Sequence, residues 1–123
     1  MPDEQNPSDS LRYAKQLMRG RGGVERHFEQ AVYYFDLAAQ AGDVDAMYWL
    51  GKCYWRGVGC LRDTSGAMSC FENAANRGHV AAARKLAQCF AEGLHVPRCE
   101  SLAAYWELKA AQLDSAAPPQ SRD

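Results

Sequence analysis

In the middle of the chain Ala46, Leu50, Cys53, Tyr54 and Gly57 follow one another at spacings of four, three, one and three. At about 100° per residue these side chains share one face, which predicts a helix near residues 45–56. Gly57 and Gly59 end it, because glycine tolerates the left-handed conformation of helix C-terminal caps. A short loop, Val58 to Asp63, leads to Asp63 or Thr64 as the cap of a second helix. On that helix Ala67, Cys70, Phe71, Ala74 and Ala75 mark one face before Gly78 closes it. The two helices form an antiparallel hairpin. Small residues at Gly51, Ala67, Ala74 and Ala75 let the backbones come close, while Tyr54 and Phe71 fill the wider gaps.

The same pattern recurs at a step of 36 residues, which carries Ala38-Ala39 to Ala74-Ala75 to Ala110-Ala111. It also carries Ala31 to Ala67 to Ala103, Gly42 to Gly78, Ala46 to Ala82, Leu50 to Leu86 and Gly57 to Gly93, with no gap. A period in this range signals stacked helical hairpins. The expectation is an all-α, right-handed α-solenoid of about three hairpins, over residues 8–44, 45–80 and 81–113, within a single domain spanning 1–113. The step places the outer helices near 8–19, 28–41, 81–92 and 100–113, with Asn6-Pro7 as a start signal. The tail from 114 to 123, with paired prolines and small polar residues, is expected to be disordered.

Composition narrows the job. The 123 residues are 47% hydrophobic, enough for a modest core, and a formal charge of −1 supplies no global pull toward nucleic acid or an anionic membrane. The start, MPDEQNPSDS, carries no export signal, and no apolar run is long enough for membrane insertion. Five cysteines, an odd number with no CxxC, read as reduced thiols of a cytoplasmic chain. A chain whose signal peptide had been removed would read the same way.

The central unit carries A-x3-LG-x2-Y-x2-G-x-G followed by D-x3-A-x3-F-x2-AA-x2-G. It resembles the Sel-one-like repeat, the SLR subclass of tetratricopeptide-like hairpins, over roughly residues 10–112. In the first unit Lys15 stands at the place of Gly51, and in the third Ala87 does. Glu107 fills the aromatic slot of Phe35 and Phe71, and Pro97-Arg98-Cys99 replaces the usual loop-to-acid sequence. The resemblance implies a non-enzymatic scaffold or adaptor that nucleates protein complexes, with no cofactor and no catalytic residues to carry over. A dedicated inhibitor, immunity protein or chaperone for one cognate protein is the alternative within binding proteins. Cysteine-rich relatives staple their hairpins with disulfides. Here Ala74-Ala75 and Ala82-Ala83 stand in the matching regions, which disfavours that branch and the small-hydrolase reading attached to it.

The candidate chemistry is sparse. Cys89, His95 and Cys99 are spaced six and four apart, unlike the paired ligands of a structural zinc site, and position 89 matches the buried stripe at Cys53, so no metal is expected. No S-x-x-K, G-x-S-x-G or phosphate-cradling loop is present. A groove is the stronger candidate. Opposite the core stripe of the central first helix lie Tyr48, Lys52, Trp55 and Arg56. The 36-residue step matches them to Arg12, Gln16, Arg19 and Gly20, and to Arg84, Gln88, Ala91 and Glu92. Arg12, Arg19, Tyr48, Lys52, Trp55, Arg56, Arg84 and Gln88 are therefore expected to line a concave, basic and aromatic partner-binding surface. Its natural ligand is a protein or peptide segment bearing acidic groups or a C-terminal carboxylate. An ordinary solvated helix face is the competing reading, and without a wider basic stripe single-stranded nucleic acid is disfavoured. Trp49 reads as an inter-repeat packing residue. Tyr105 and Trp106, with Leu108, are expected to lie open on the last helix and to offer a homodimer contact.

Overall fold

The computed structural model describes residue 3 and residues 5–20 and 27–116. Among them are six α-helices and no strand: α1 (Pro7–Arg19), α2 (Phe28–Gln40), α3 (Val44–Arg56), α4 (Thr64–Asn76), α5 (Val80–Glu92) and α6 (Glu100–Ala116). Each helix packs on the next, so α1/α2, α3/α4 and α5/α6 form hairpins that stack through α2/α3 and α4/α5. The result is an α-solenoid.

The helix ends are set by local chemistry. Asn6, Asp43, Asp63 and His79 accept hydrogen bonds from backbone N–H groups in the first turns of α1, α3, α4 and α5. Gly20, Gly57 and Gly93 close α1, α3 and α5 in the left-handed conformation. α6 continues to Ala116, so residues 114–116 are helical where a disordered tail was expected; the remainder of that tail lies outside the described residues, as does most of the glycine-rich first loop.

The first helix departs from the uniform step. α1 begins 37 residues before α3, its capping Gly20 lies 37 before Gly57, and the cap bonds to Gln16 and Cys53 repeat that offset. The second helices keep the offset of 36. The interval between α1 and α2 is one residue longer than those between α3 and α4 and between α5 and α6, which accounts for the difference. Ala14, not Lys15, therefore occupies the place of Gly51 and Ala87. Burial supports this register: Ser10, Ala14 and Leu17 are buried on the side that Met47, Gly51 and Tyr54 turn toward α4. Asp9, Tyr13 and Gln16 then match Ala46, Leu50 and Cys53, which are buried, yet none of the three is fully covered. This gives α1 a polar outer side, to which Asp9 adds an ion pair with Arg12.

The core is two connected clusters. Leu17, Tyr34, Phe35, Leu50 and Cys53 fill the first, and Phe71, Leu86 and Trp106 fill the second among fully buried alanines. Two glycines are steric requirements. A Cβ at Gly51 would lie 2.8 Å from the Phe71 ring. At Gly59, where φ is +75°, it would lie 2.3 Å from the Phe28 carbonyl oxygen, so the second loop rests directly on the start of α2. His95 holds the corresponding place in the third hairpin at φ 61°, a conformation that costs a side-chain-bearing residue about 1 kcal/mol.

Trp106 is not open. It is only 7% exposed and packs in the core with Phe71 and Leu86, at the place of Tyr34 and Cys70 in the earlier hairpins. Tyr105 is 51% exposed, but so is its counterpart Tyr33 at 53%. The exposure of Tyr105 thus belongs to the outer side of the second helices in general, not to a missing fourth hairpin.

Ser10 Oγ is buried without a hydrogen-bond partner among the described residues, where Met47 and Ala83 carry no hydroxyl. Ser10→Ala is expected to raise unfolding free energy by about 1 kcal/mol, read as a higher urea midpoint. A lower midpoint would show that the hydroxyl is satisfied in solution.

Candidate partner-binding groove

The first helix of each hairpin contributes one row of side chains to the same side of the stack. With the offsets of 37 and 36, Tyr48, Lys52, Trp55 and Arg56 on α3 correspond to Leu11, Lys15, Met18 and Arg19 on α1 and to Arg84, Gln88, Ala91 and Glu92 on α5. Three successive stations result. Arg12 is displaced from the row: it takes the place of Trp49 and pairs with Asp9. Arg19 stays in the row as the counterpart of Arg56. Arg12 and Arg19, with Ser8, Leu11, Lys15 and Gln16, line a recess of about 410 Å³ on α1 itself.

The middle station is the best formed. Tyr48, Lys52, Trp55 and Arg56 of α3, Phe71 of α4 and Lys85 of α5 enclose a recess of about 240 Å³. Fully buried Phe71 is its floor, tilted against Tyr48 at 5.7 Å and against Trp55 at 6.1 Å between ring centroids. Lysines rest on the aromatic faces. Lys52 Nζ lies 4.6 Å from the Trp49 ring centre and 5.5 Å from that of Tyr48, and Lys85 Nζ lies 4.5 Å from that of Trp55. These cation–π contacts position the charges without neutralising them. Lys52, Arg56 and Lys85 have no carboxylate partner among the described residues.

Two histidines support the aromatic walls. His79 caps α5 through Nδ1, which accepts the Ala82 N–H at 3.1 Å, so its ring proton sits on Nε2 and is donated to Asp45 at 2.9 Å. Its ring also stacks on Tyr48 at 4.6 Å. His95 meets the Trp55 ring edge-on at 4.8 Å and Arg62 at 3.1 Å. The sequence reading missed Lys85, Phe71, His79 and His95 as parts of this site. The signal available for Lys85 is its match to Trp49, a position that contacts the preceding hairpin: Trp49 stacks on Phe35 at 5.9 Å.

The third station differs. Arg84, Gln88, Ala91 and Glu92 line a cleft of about 460 Å³ with Ala87, Glu107, Ala110 and Ala111. Glu107 replaces the phenylalanine floor, and alanines form the walls. Arg84 is held by Asp114 at 3.3 Å. The expected groove residues are therefore distributed rather than gathered: Tyr48, Lys52, Trp55 and Arg56 meet in one recess, Arg84 and Gln88 in the next, and Arg12 and Arg19 on α1.

Cys53, Cys60, Cys70 and Cys89 offer little nucleophilic chemistry. Burial pushes the Cys53 thiol up to about 11, with Cys60 adding to the shift and Lys52 opposing it. Burial, followed by Asp36 and Asp63, likewise pushes Cys70 up to about 11, and burial raises Cys60 and Cys89. Thiols so raised stay protonated at neutral pH. Among the described residues no three or more His, Cys, Asp or Glu side chains are arranged to hold a metal ion, and no helix is long and apolar enough to cross a membrane.

Stacked hairpins with a lined groove along their first helices define a helical-repeat solenoid, the architecture of proteins that present a binding surface to other proteins. Within that class the chain belongs to the Sel1 repeat family, whose model matches it three times, over residues 5–43, 44–79 and 80–115. The first of these matches is the longest, in keeping with the extra residue of the first loop. A Sel1 repeat protein from Oxalobacter formigenes superposes with a TM-score of 0.83 at 27% identity, over 89% of this chain and 44% of that one. A protective antigen of uropathogenic Escherichia coli with an SLR fold gives 0.81 at 28% identity, over 86% and 22%. The rat and mouse proteins named DAP3-binding cell death enhancer 1 are each 37% identical over 62 residues, half of this chain. The match spans only 12% of the length of those relatives.

Proposed function

We propose that the protein is a non-enzymatic scaffold or adaptor of reducing, cytoplasmic surroundings that holds an acid-bearing segment of another protein in its concave groove, with the middle station as anchor. The observation that carries this reading is the set of three cations, Lys52, Arg56 and Lys85, placed around a Tyr48–Trp55–Phe71 recess with no carboxylate of the described chain to answer them. Tyrosine, tryptophan and arginine are the side chains that most often dominate binding energy, and here Tyr48 and Trp55 are pre-positioned by Phe71, His79 and His95. Family membership and relatives named for binding another protein favour the same kind of role. The raised, unpaired thiols suit a reducing compartment.

The test is fluorescence polarisation with short acid-rich peptides. Trp55→Ala and Lys85→Glu, each matched to the wild type in circular dichroism, are expected to weaken binding about tenfold or more. Equal affinity in both variants would remove the groove as the binding site.

A further inference from the structure

Within the groove reading above, we infer that the partner segment is charge-polar: an acidic side chain sits at the middle station while a lysine or arginine enters the third. The two stations use matching positions of one hairpin with opposite chemistry, and only the middle one is also lined by the hairpin that follows, through Lys85. Phe71 is replaced by Glu107, Arg56 by Glu92, Lys52 by Gln88 and Trp55 by Ala91. Every change removes an aromatic or cationic group, and two of them introduce a carboxylate. The third cleft is the wider, about 460 against about 240 Å³, with neither the phenylalanine and tryptophan nor a following hairpin's lysine lining it.

The shape of the third cleft fits a long cationic side chain. Ala87, Ala91, Ala110 and Ala111 offer apolar walls for a methylene stem, and Glu92 and Glu107 offer acceptors for its charged head. Among the described residues Arg84 is the one cation lining this cleft and is engaged by Asp114, whereas Glu92 and Glu107 have no basic partner there. An anionic side chain would meet both carboxylates and be rejected. The stations lie on α3 and α5, which Lys85 on Trp55 bridges, so the acidic and basic residues of an extended segment stand several positions apart. A purely acidic ligand would satisfy one station only.

The experiment uses the full chain, isotopically labelled, and two synthetic peptides of equal length, Glu-Glu-Ser-Ala-Lys-Lys and Glu-Glu-Ser-Ala-Glu-Glu, with amide and side-chain resonances followed by NMR. The Trp55 indole N–H reports the middle station and the Gln88 side-chain amide the third. The mixed peptide is expected to shift both reporters and to bind about three- to tenfold more tightly than the acidic one, which shifts Trp55 alone. In a Glu92→Lys, Glu107→Lys variant that ranking should invert while the Trp55 response persists. If the mixed peptide moves Trp55 but leaves Gln88 still, or the acidic peptide moves both equally, the polarity inference fails and the anchor survives. If neither peptide moves Trp55, the groove reading itself falls, and this inference with it.

Discussion

Leu50→Asp is expected to unfold the whole stack, not merely to loosen the middle hairpin. Leu50 is 5% exposed on α3 and packs with Tyr34, Phe35 and Cys53 at the joint between the first and second hairpins. Removing the leucine costs about 2–5 kcal/mol in lost packing, and the carboxyl that replaces it must be buried without a partner or protonated. A small domain is stable by only about 5–15 kcal/mol. Each hairpin of a solenoid is stabilised mainly by its neighbours, and about three are needed for an independent fold. Loss of the middle unit leaves two single hairpins that cannot stand alone. Far-ultraviolet circular dichroism should show loss of most helical signal at room temperature, and retention of the wild-type spectrum and melting temperature would refute the assignment of this face.

Phe71→Ala is expected to cost about 3–5 kcal/mol, close to the effect of Leu50→Asp but with a different signature. Phe71 is fully buried and lies under Gly51, Tyr48 and Trp55 at once. Its removal opens a cavity beneath the middle recess, so the chain should stay helical at low temperature while the urea midpoint falls steeply. Gly51 offers a control. The Cβ of an added alanine would lie 2.8 Å from the Phe71 ring, a collision that Phe71→Ala removes, and 3.1 Å from the Cys70 Cβ, a tight contact that stays. The double variant Gly51→Ala, Phe71→Ala should therefore be destabilised by less than the sum of the two single changes, since the ring collision is gone and alanine favours the helix. Simple additivity of two destabilising changes would contradict the packing described for α3 against α4.

Much of the fold could be read from the sequence, because the periodic alanines and glycines each do one physical job. Ala31, Ala67 and Ala103 are buried on successive second helices, and Gly57 and Gly93 end successive first helices in the left-handed conformation. The first helix lies where it was expected, near 8–19, but its residues were matched to those of the second hairpin one position out of register. The interval from Gly20 to Gly57 is 37 and that from Gly57 to Gly93 is 36, so the caps recorded the longer loop even though the apolar matches did not. A shift of one residue turns a helix by about 100°, enough to exchange Arg12 for Leu11 in the groove and Lys15 for Ala14 in the core. Trp106 failed for a related reason. A tryptophan one position from the aromatic slot looks surplus, yet with Glu107 lining the third cleft Trp106 supplies the ring that the third hairpin buries. The middle recess was only half visible, since Lys85 and Phe71 come from other helices and their meeting with Trp55 depends on the stack.

Trp55 touches Lys85 and His95, Tyr48 touches His79, and His79 in turn holds Asp45, so the concave side between α3 and α5 is laced by contacts that bridge consecutive hairpins. In mechanical terms these are stays on the inner edge of a spring. A guest seated at the middle station would meet the same side chains that join the second hairpin to the third, so the groove's floor and the joint of the stack are one set of contacts.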